Sequence, residues 1–163
     1  MPIRLRPFDL ATLDAVSVDA YAIFVAEDER PLFGLGGLID WRLAGGLSQH
    51  LRHALLEGKA RESFLTTTGG LVPGRRLFAF GLGRGANVTQ EIFTTMAAQA
   101  AAALQRAKVA SLAVGLPERP GPAASARILV NALDPLAGLD VSLFGPLPEM
   151  SAALPELTPR KTG

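Results

Sequence analysis

The residues best placed to do chemistry are a run of glycines that follows an apolar stretch: Gly81-Leu82-Gly83-Arg84-Gly85-Ala86, then Asn87. The run satisfies G-x-G-x-x-A. Between a strand and a helix, that pattern can aim backbone N–H groups at a phosphate. A dinucleotide fold also needs an acidic residue about twenty positions further on, at the end of the next strand. That region holds Arg106, Lys108 and Val109, so no nicotinamide cofactor is expected. A phosphate-bearing ligand stays open to this loop. The competing reading is a tight turn whose glycines serve packing alone.

Other candidates are sparser. A second glycine run, Phe33-Gly34-Leu35-Gly36-Gly37, reads as a loop that could flank the same cleft through Gly36 and Gly37. His50 and His53 lie three apart, with Glu57 four beyond, and could share a helix face. Three ligands from one helix, outside any H-E-x-x-H pattern, do not make an expected metal site. No serine or threonine has an evident base, so no catalytic residue is assigned. Trp41 is the lone tryptophan and sits beside Arg42. With Phe33 and Leu35 the two could form a protein-binding patch, because Trp and Arg are enriched at interface hot spots. Trp41 could equally anchor its helix in the core.

Bulk properties bound these readings. A chain of 163 residues suits one domain with a useful core. Only 19% of residues are charged, against about 25% in a typical soluble domain. The surface must then carry more alanine, glycine, leucine and proline than usual, as a surface covered by a partner would. Sixteen Lys and Arg balance fifteen Asp and Glu, with no basic block, so nucleic acid is not an expected partner. The absence of cysteine removes thiolate chemistry and disulfides. No apolar run is long enough to span a membrane, and MPIRLRPFDL is no signal peptide, so a cytoplasmic protein is expected.

The elements that position these residues read as an α/β order. Residues 3–8 alternate as a half-buried edge strand, and Asp9 could cap a short turn. DAYAIFVA, residues 19–26, is apolar throughout, as a strand covered on both faces requires. A helix over 38–56 repeats leucine every four residues, but Gly45 and Gly46 interrupt it. They imply a break, a close contact, or a true start near Leu47. Strands follow at 62–68 and 77–81, as a hairpin or as parallel neighbours. The next helix is capped by Asn87, or by its rival Thr89, and shows a stripe of Ile92, Met96, Ala100, Ala103, Leu104 and Ala107. A strand at 108–116, a helix at 123–133 behind Pro122 and a strand at 139–144 complete the core. Residues 146–163 carry four prolines and read as a poorly ordered tail or an arm on a partner, which leaves 1–145 as the domain.

From about residue 19 to 117 the chain resembles the N-terminal domain of the M17-type leucyl aminopeptidases. The likeness rests on DAYAIFVAED, on PLFGLGGLIDWRLAGG, on the link Gly58-Lys59-Ala60-Arg61-Glu62, and on the strand end Phe80-Gly81-Leu82-Gly83. It implies a macro-domain-like, three-layer α/β/α sandwich with a mixed, mainly parallel sheet. It also implies that the zinc ligands and the active-site lysine and arginine belong to a second domain, which would begin beyond Gly163. Peptidase activity and cofactors are therefore not expected of these residues. The expected role is non-catalytic: protein interaction, assembly or regulation, with a homo-oligomer or a separate M17-type catalytic subunit as partner. The alternative is a module for phosphate, nucleotide or ADP-ribose-like ligands. It would use Gly81, Gly83, Arg84, Gly85 and Asn87, since macro domains bind such ligands with glycine loops.

Overall fold

A computed structural model describes residues 1–158. Its centre is the apolar run of the sequence, strand β2 (Ala20–Ala26), in which every residue is buried. Successive side chains leave a strand on opposite faces, so a run apolar at every position needs cover on both. The structure supplies it. Ala20, Ala22 and Phe24 enter one core, and Tyr21, Ile23 and Val25 enter the other.

Around β2 lies a six-stranded sheet made with β1 (Ile3–Arg6), β3 (Ser63–Thr67), β4 (Arg76–Gly83), β5 (Ser111–Gly115) and β6 (Asp140–Phe144). The order is β1-β6-β5-β2-β4-β3. All neighbours run parallel except β3, which pairs antiparallel with β4. The hairpin is thus the correct choice for residues 63–83. Its turn is held by Tyr21, whose hydroxyl accepts the Gly74 N–H at 2.9 Å from beneath the sheet.

Helices cover both faces, giving three layers. On one side lie α1 (Leu10–Ala15), α2 (Gly34–Arg42) and α3 (Gly46–Arg52). On the other lie α4 (Gln90–Arg106), α5 (Pro122–Leu133) and α6 (Leu147–Ala153). Asp9 caps α1 by accepting the Thr12 N–H at 2.7 Å, as its type and position suggest. Pro122 opens α5 in its first turn. The helix expected over 38–56 is two helices, broken at Gly45, whose φ of +82° an L-residue side chain resists.

Four expectations are corrected. The run at 33–37 is the start of α2 and not a loop. A β-carbon on Gly37 would stand 2.5 Å from the Leu32 carbonyl oxygen, so these glycines let the helix lie close to its approach segment. The cap of α4 is Thr89, which accepts the Ile92 N–H, while Asn87 sits in a preceding 3-10 turn. The buried face of α4 is turned towards Phe93, Met96, Ala97, Ala100, Ala101 and Leu104, leaving Ile92 exposed. Phe93 draws the face round because it meets Phe24 edge-on at 5.0 Å in the core. Finally, the tail is not an arm as far as residue 158. Met150 and Leu154 are fully buried, and Arg127 of α5 holds Glu156 at 2.7 Å. Residues 159–163 of that proline-rich segment lie outside the described residues.

Candidate functional site

In an open α/β sheet a ligand sits outside the carboxyl ends of the parallel strands. Here that place is the exit of β4 beside the exit of β2. Gly81 is not in a turn. It lies inside β4, and its N–H donates to the Glu62 carbonyl at 2.8 Å. Two residues on, Gly83 donates to the Gly58 carbonyl at 2.9 Å and accepts from the Glu27 N–H at 2.9 Å. The link at 58–62 therefore lies along β4 like a further, irregular strand.

Three groups hold that link down. The Glu62 carboxylate accepts the N–H groups of Glu57, Gly58 and Lys59 at 2.7–3.1 Å. Gly58 has φ +81°, and a β-carbon there would meet the Ala26 carbonyl oxygen at 2.8 Å. Opposite it, a β-carbon on Gly81 would fall 1.8 Å from the Lys59 carbonyl oxygen. The Gly-Lys-x-x-Glu link and the Gly-x-Gly strand end are two halves of one contact. Neither presents a free donor to solvent at these points.

One donor does face a hollow. Gly85 N–H points to a cavity of about 270 Å³ lined by Asp28, Glu29, Ala86 and Glu118, among others. It is already taken, because Asp28 Oδ1 accepts it at 2.9 Å. That bond, with the Asp28 backbone N–H and the nearby charges of Arg84 and Arg119, holds the Asp28 carboxyl below the usual aspartate range. The Gly85 N–H is thus satisfied within the chain by an acidic side chain that lines the same hollow. Glu29 accepts the Phe33 N–H at 2.9 Å, and burial pushes its carboxyl above the usual glutamate range.

The raised Glu29 carboxyl has a consequence for stability. The folded chain holds that proton more tightly than the unfolded one, so folding loses stability as pH rises through the ordinary and then the folded value. Glu29→Gln keeps an acceptor for Phe33 and removes the half-buried charge. Its thermal unfolding should lie above wild type at neutral pH, with the gap closing as pH falls through the raised folded value towards the ordinary glutamate value of about 4.3. A variant less stable than wild type at neutral pH would contradict the assignment.

The remaining expected site residues are dispersed. Gly83, Arg84 and Asn87 line a second hollow of about 500 Å³ with Arg61 and Ile92. Gly37 lines a third, of about 680 Å³, with Trp41 and Leu32. Gly36 is buried, 3.4 Å from Ile23 by its missing β-carbon. The two glycine runs therefore do not flank one cleft. Of the expected patch, Trp41 is 73% exposed and is no core anchor, and Phe33 is 40% exposed against Phe8. Arg42 is clamped by both oxygens of Asp14, at 2.9 and 2.5 Å. Leu35 leaves the patch, being buried where α2 crosses Gly115.

His50 packs beside the Phe64 ring, 5.4 Å between centroids. Among the described residues no group of three or more His, Cys, Asp or Glu could hold a metal ion, and no helix is long and apolar enough to cross a membrane. Sequence reasoning missed Asp28 and Glu62. Glu62 had a local signal, a carboxylate three to five residues beyond the amides it binds. Asp28 had none, because its partner is 57 residues away.

The model of the cytosol aminopeptidase family, N-terminal domain, matches residues 22–134. No curated protein matches the sequence. Among solved structures, a mutant of tomato leucine aminopeptidase superposes with a TM-score of 0.62 at 18% identity, covering 94% of this chain and 35% of that one. The chain thus spans about a third of that enzyme's length. The macrodomain of Thermus aquaticus DarG gives 0.63 at 16% identity, covering 88% and 99%. A mutant Oceanobacillus iheyensis macrodomain gives 0.65 at 16% identity, covering 89% and 88%. At these identities the likeness is one of fold: a macrodomain-like sandwich.

Proposed function

We propose that this chain, which belongs to the cytosol aminopeptidase family through its N-terminal domain, acts by protein contact and not by chemistry. It is an assembly or regulatory domain of the cytoplasm, and its partner is a second copy or a separate M17-type catalytic subunit. The observation that carries this reading is the filled exit of β4. The link at 58–62 covers Gly81 and Gly83, and Asp28 holds the Gly85 N–H. The backbone donors of Gly81, Gly83 and Gly85 are thus satisfied within the chain. Its surface instead carries isolated large apolar groups, Trp41 at 73% exposure among them. The test is to mix the purified chain with an M17-type catalytic subunit and follow both in sedimentation and in a leucine-amide hydrolysis assay. Co-sedimentation, with no hydrolysis by the chain alone, supports the reading. Hydrolysis by the isolated chain overturns it.

A ligand-binding reading has one observation in its favour, the hollow of about 270 Å³ beside Gly85 in a macrodomain-like fold. Titration calorimetry with ADP-ribose and with inorganic phosphate tests it. Asp28 argues that neither produces heat.

A further inference from the structure

The sheet has two outer edges, and they differ in chemistry. The β1 edge reads Ile3-Arg4-Leu5-Arg6-Pro7 and lies beside α6 and the 3-10 turn Pro155–Leu157. Charges and a proline are the usual means of blunting an edge against pairing. The β3 edge reads Ser63-Phe64-Leu65-Thr66-Thr67, with neither charge nor proline. Among the described residues its one strand neighbour is β4.

The free side of β3 can be identified. Gly81 N–H donates to the Glu62 carbonyl, and Thr68 N–H donates to the Arg75 carbonyl. In the register Phe64↔Ala79 and Thr66↔Leu77, the even-numbered residues therefore face β4. The N–H and C=O groups of Ser63, Leu65 and Thr67 turn outward. Leu65 lies opposite Phe78, on the α4 face, and remains 55% exposed. The flank of α4 stands alongside, since Gln99 donates to the Arg61 carbonyl and to Ser63.

We infer that the free edge of β3 pairs antiparallel with the same edge of a second copy, about a two-fold axis at Leu65. This rests on the reading of the chain as an assembly domain and names the surface it uses. Three outward residues placed symmetrically about Leu65 match themselves under that operation. Leu65 meets its equivalent, and Ser63 meets Thr67 of the second copy, both favourable cross-strand pairs. About six backbone hydrogen bonds form, over half of the ten or so in a standard interface. Charge selects the occupant. An acidic or basic peptide finds no counter-charge between Ser63 and Thr67, whereas a neutral strand meets no like charge, and the whole chain carries a net charge of only +1.

Hydrogen exchange and sedimentation of the intact chain across a concentration series test this. The Ser63, Leu65 and Thr67 amides should exchange freely in dilute solution and become protected as a dimer appears. Leu65→Pro removes only an outward N–H, so the ladder to β4 survives while the edge is blocked. Leu65→Lys places a charge at the two-fold axis and serves should the proline variant not fold. Either should weaken the dimer at least about tenfold with little change in melting temperature. A dimer that survives both variants, or a monomer that binds a catalytic subunit, overturns the pairing and leaves the assembly reading standing. A monomer that binds neither overturns both.

Discussion

Gly81→Ala is expected to destabilise the fold severely, by about 3 kcal/mol or more, because the new methyl has nowhere to go. Its β-carbon would lie 1.8 Å from the Lys59 carbonyl oxygen, which accepts the Glu62 N–H in a link that the Glu62 carboxylate also clasps through the Gly58 and Lys59 N–H groups. Either β4 or the link must move. Movement of the link breaks the bonds from Gly81 to Glu62 and from Gly83 to Gly58. In a chain of this size the melting temperature should fall by about 10 °C. Gly85→Ala, only four residues away, is the control. Its β-carbon would meet the Asp28 carboxylate at 3.3 Å, and that exposed side chain needs to give by only a few tenths of an ångström. The loss there should stay within about 1 kcal/mol. Thermal unfolding of the two variants separates a packing glycine from a loop glycine. Equal effects would contradict the closed exit.

Removal of everything beyond Gly145 is expected to be at least as damaging, although the segment reads as a dispensable tail. Helix α6 supplies Met150, and Leu154 follows at its C-terminal cap; both are fully buried in the core, where α6 packs on α5 and β1. Each buried side chain of this size contributes about 1.5–3 kcal/mol. The truncated chain should lose its cooperative unfolding transition or fail to stay in solution. Leu154→Ala should cost about 2–5 kcal/mol by itself. Arg127→Ala removes only an exposed ion pair to Glu156 and a bond to the Ala153 carbonyl, and should cost much less than Leu154→Ala. Urea titration of the three variants measures the series. A truncated chain as stable as the full one would show that α6 does not belong to the core.

β2 and the adjoining strands were legible because burial on both faces writes a continuous apolar run. The Asp9 cap and the Pro122 start were legible because their chemistry is local. The tail was misread for the opposite reason. Its prolines suggest disorder locally, and only the groove between α5 and β1 shows why Met150 and Leu154 fold back. The choice between hairpin and parallel neighbours depends on tertiary pairing, which neither β3 nor β4 encodes alone. The glycines at 34–37 misled because glycine serves loops and close helix contacts equally, and nothing local says that Leu32 and Ile23 stand opposite. The glycine exit of β4 was placed correctly along the chain and misjudged in form. Its meaning comes from Lys59 and Asp28, which the fold brings to it from a distance.

The most direct measurement of the central claim is sedimentation velocity over a range of concentrations, with the chain alone and mixed with an M17-type catalytic subunit. A species heavier than one chain is expected in at least one of the two series, with no change on adding ADP-ribose or phosphate. A single chain mass at every concentration in both series would contradict that claim, and saturable heat on titration of either ligand would favour the ligand-binding reading in its place.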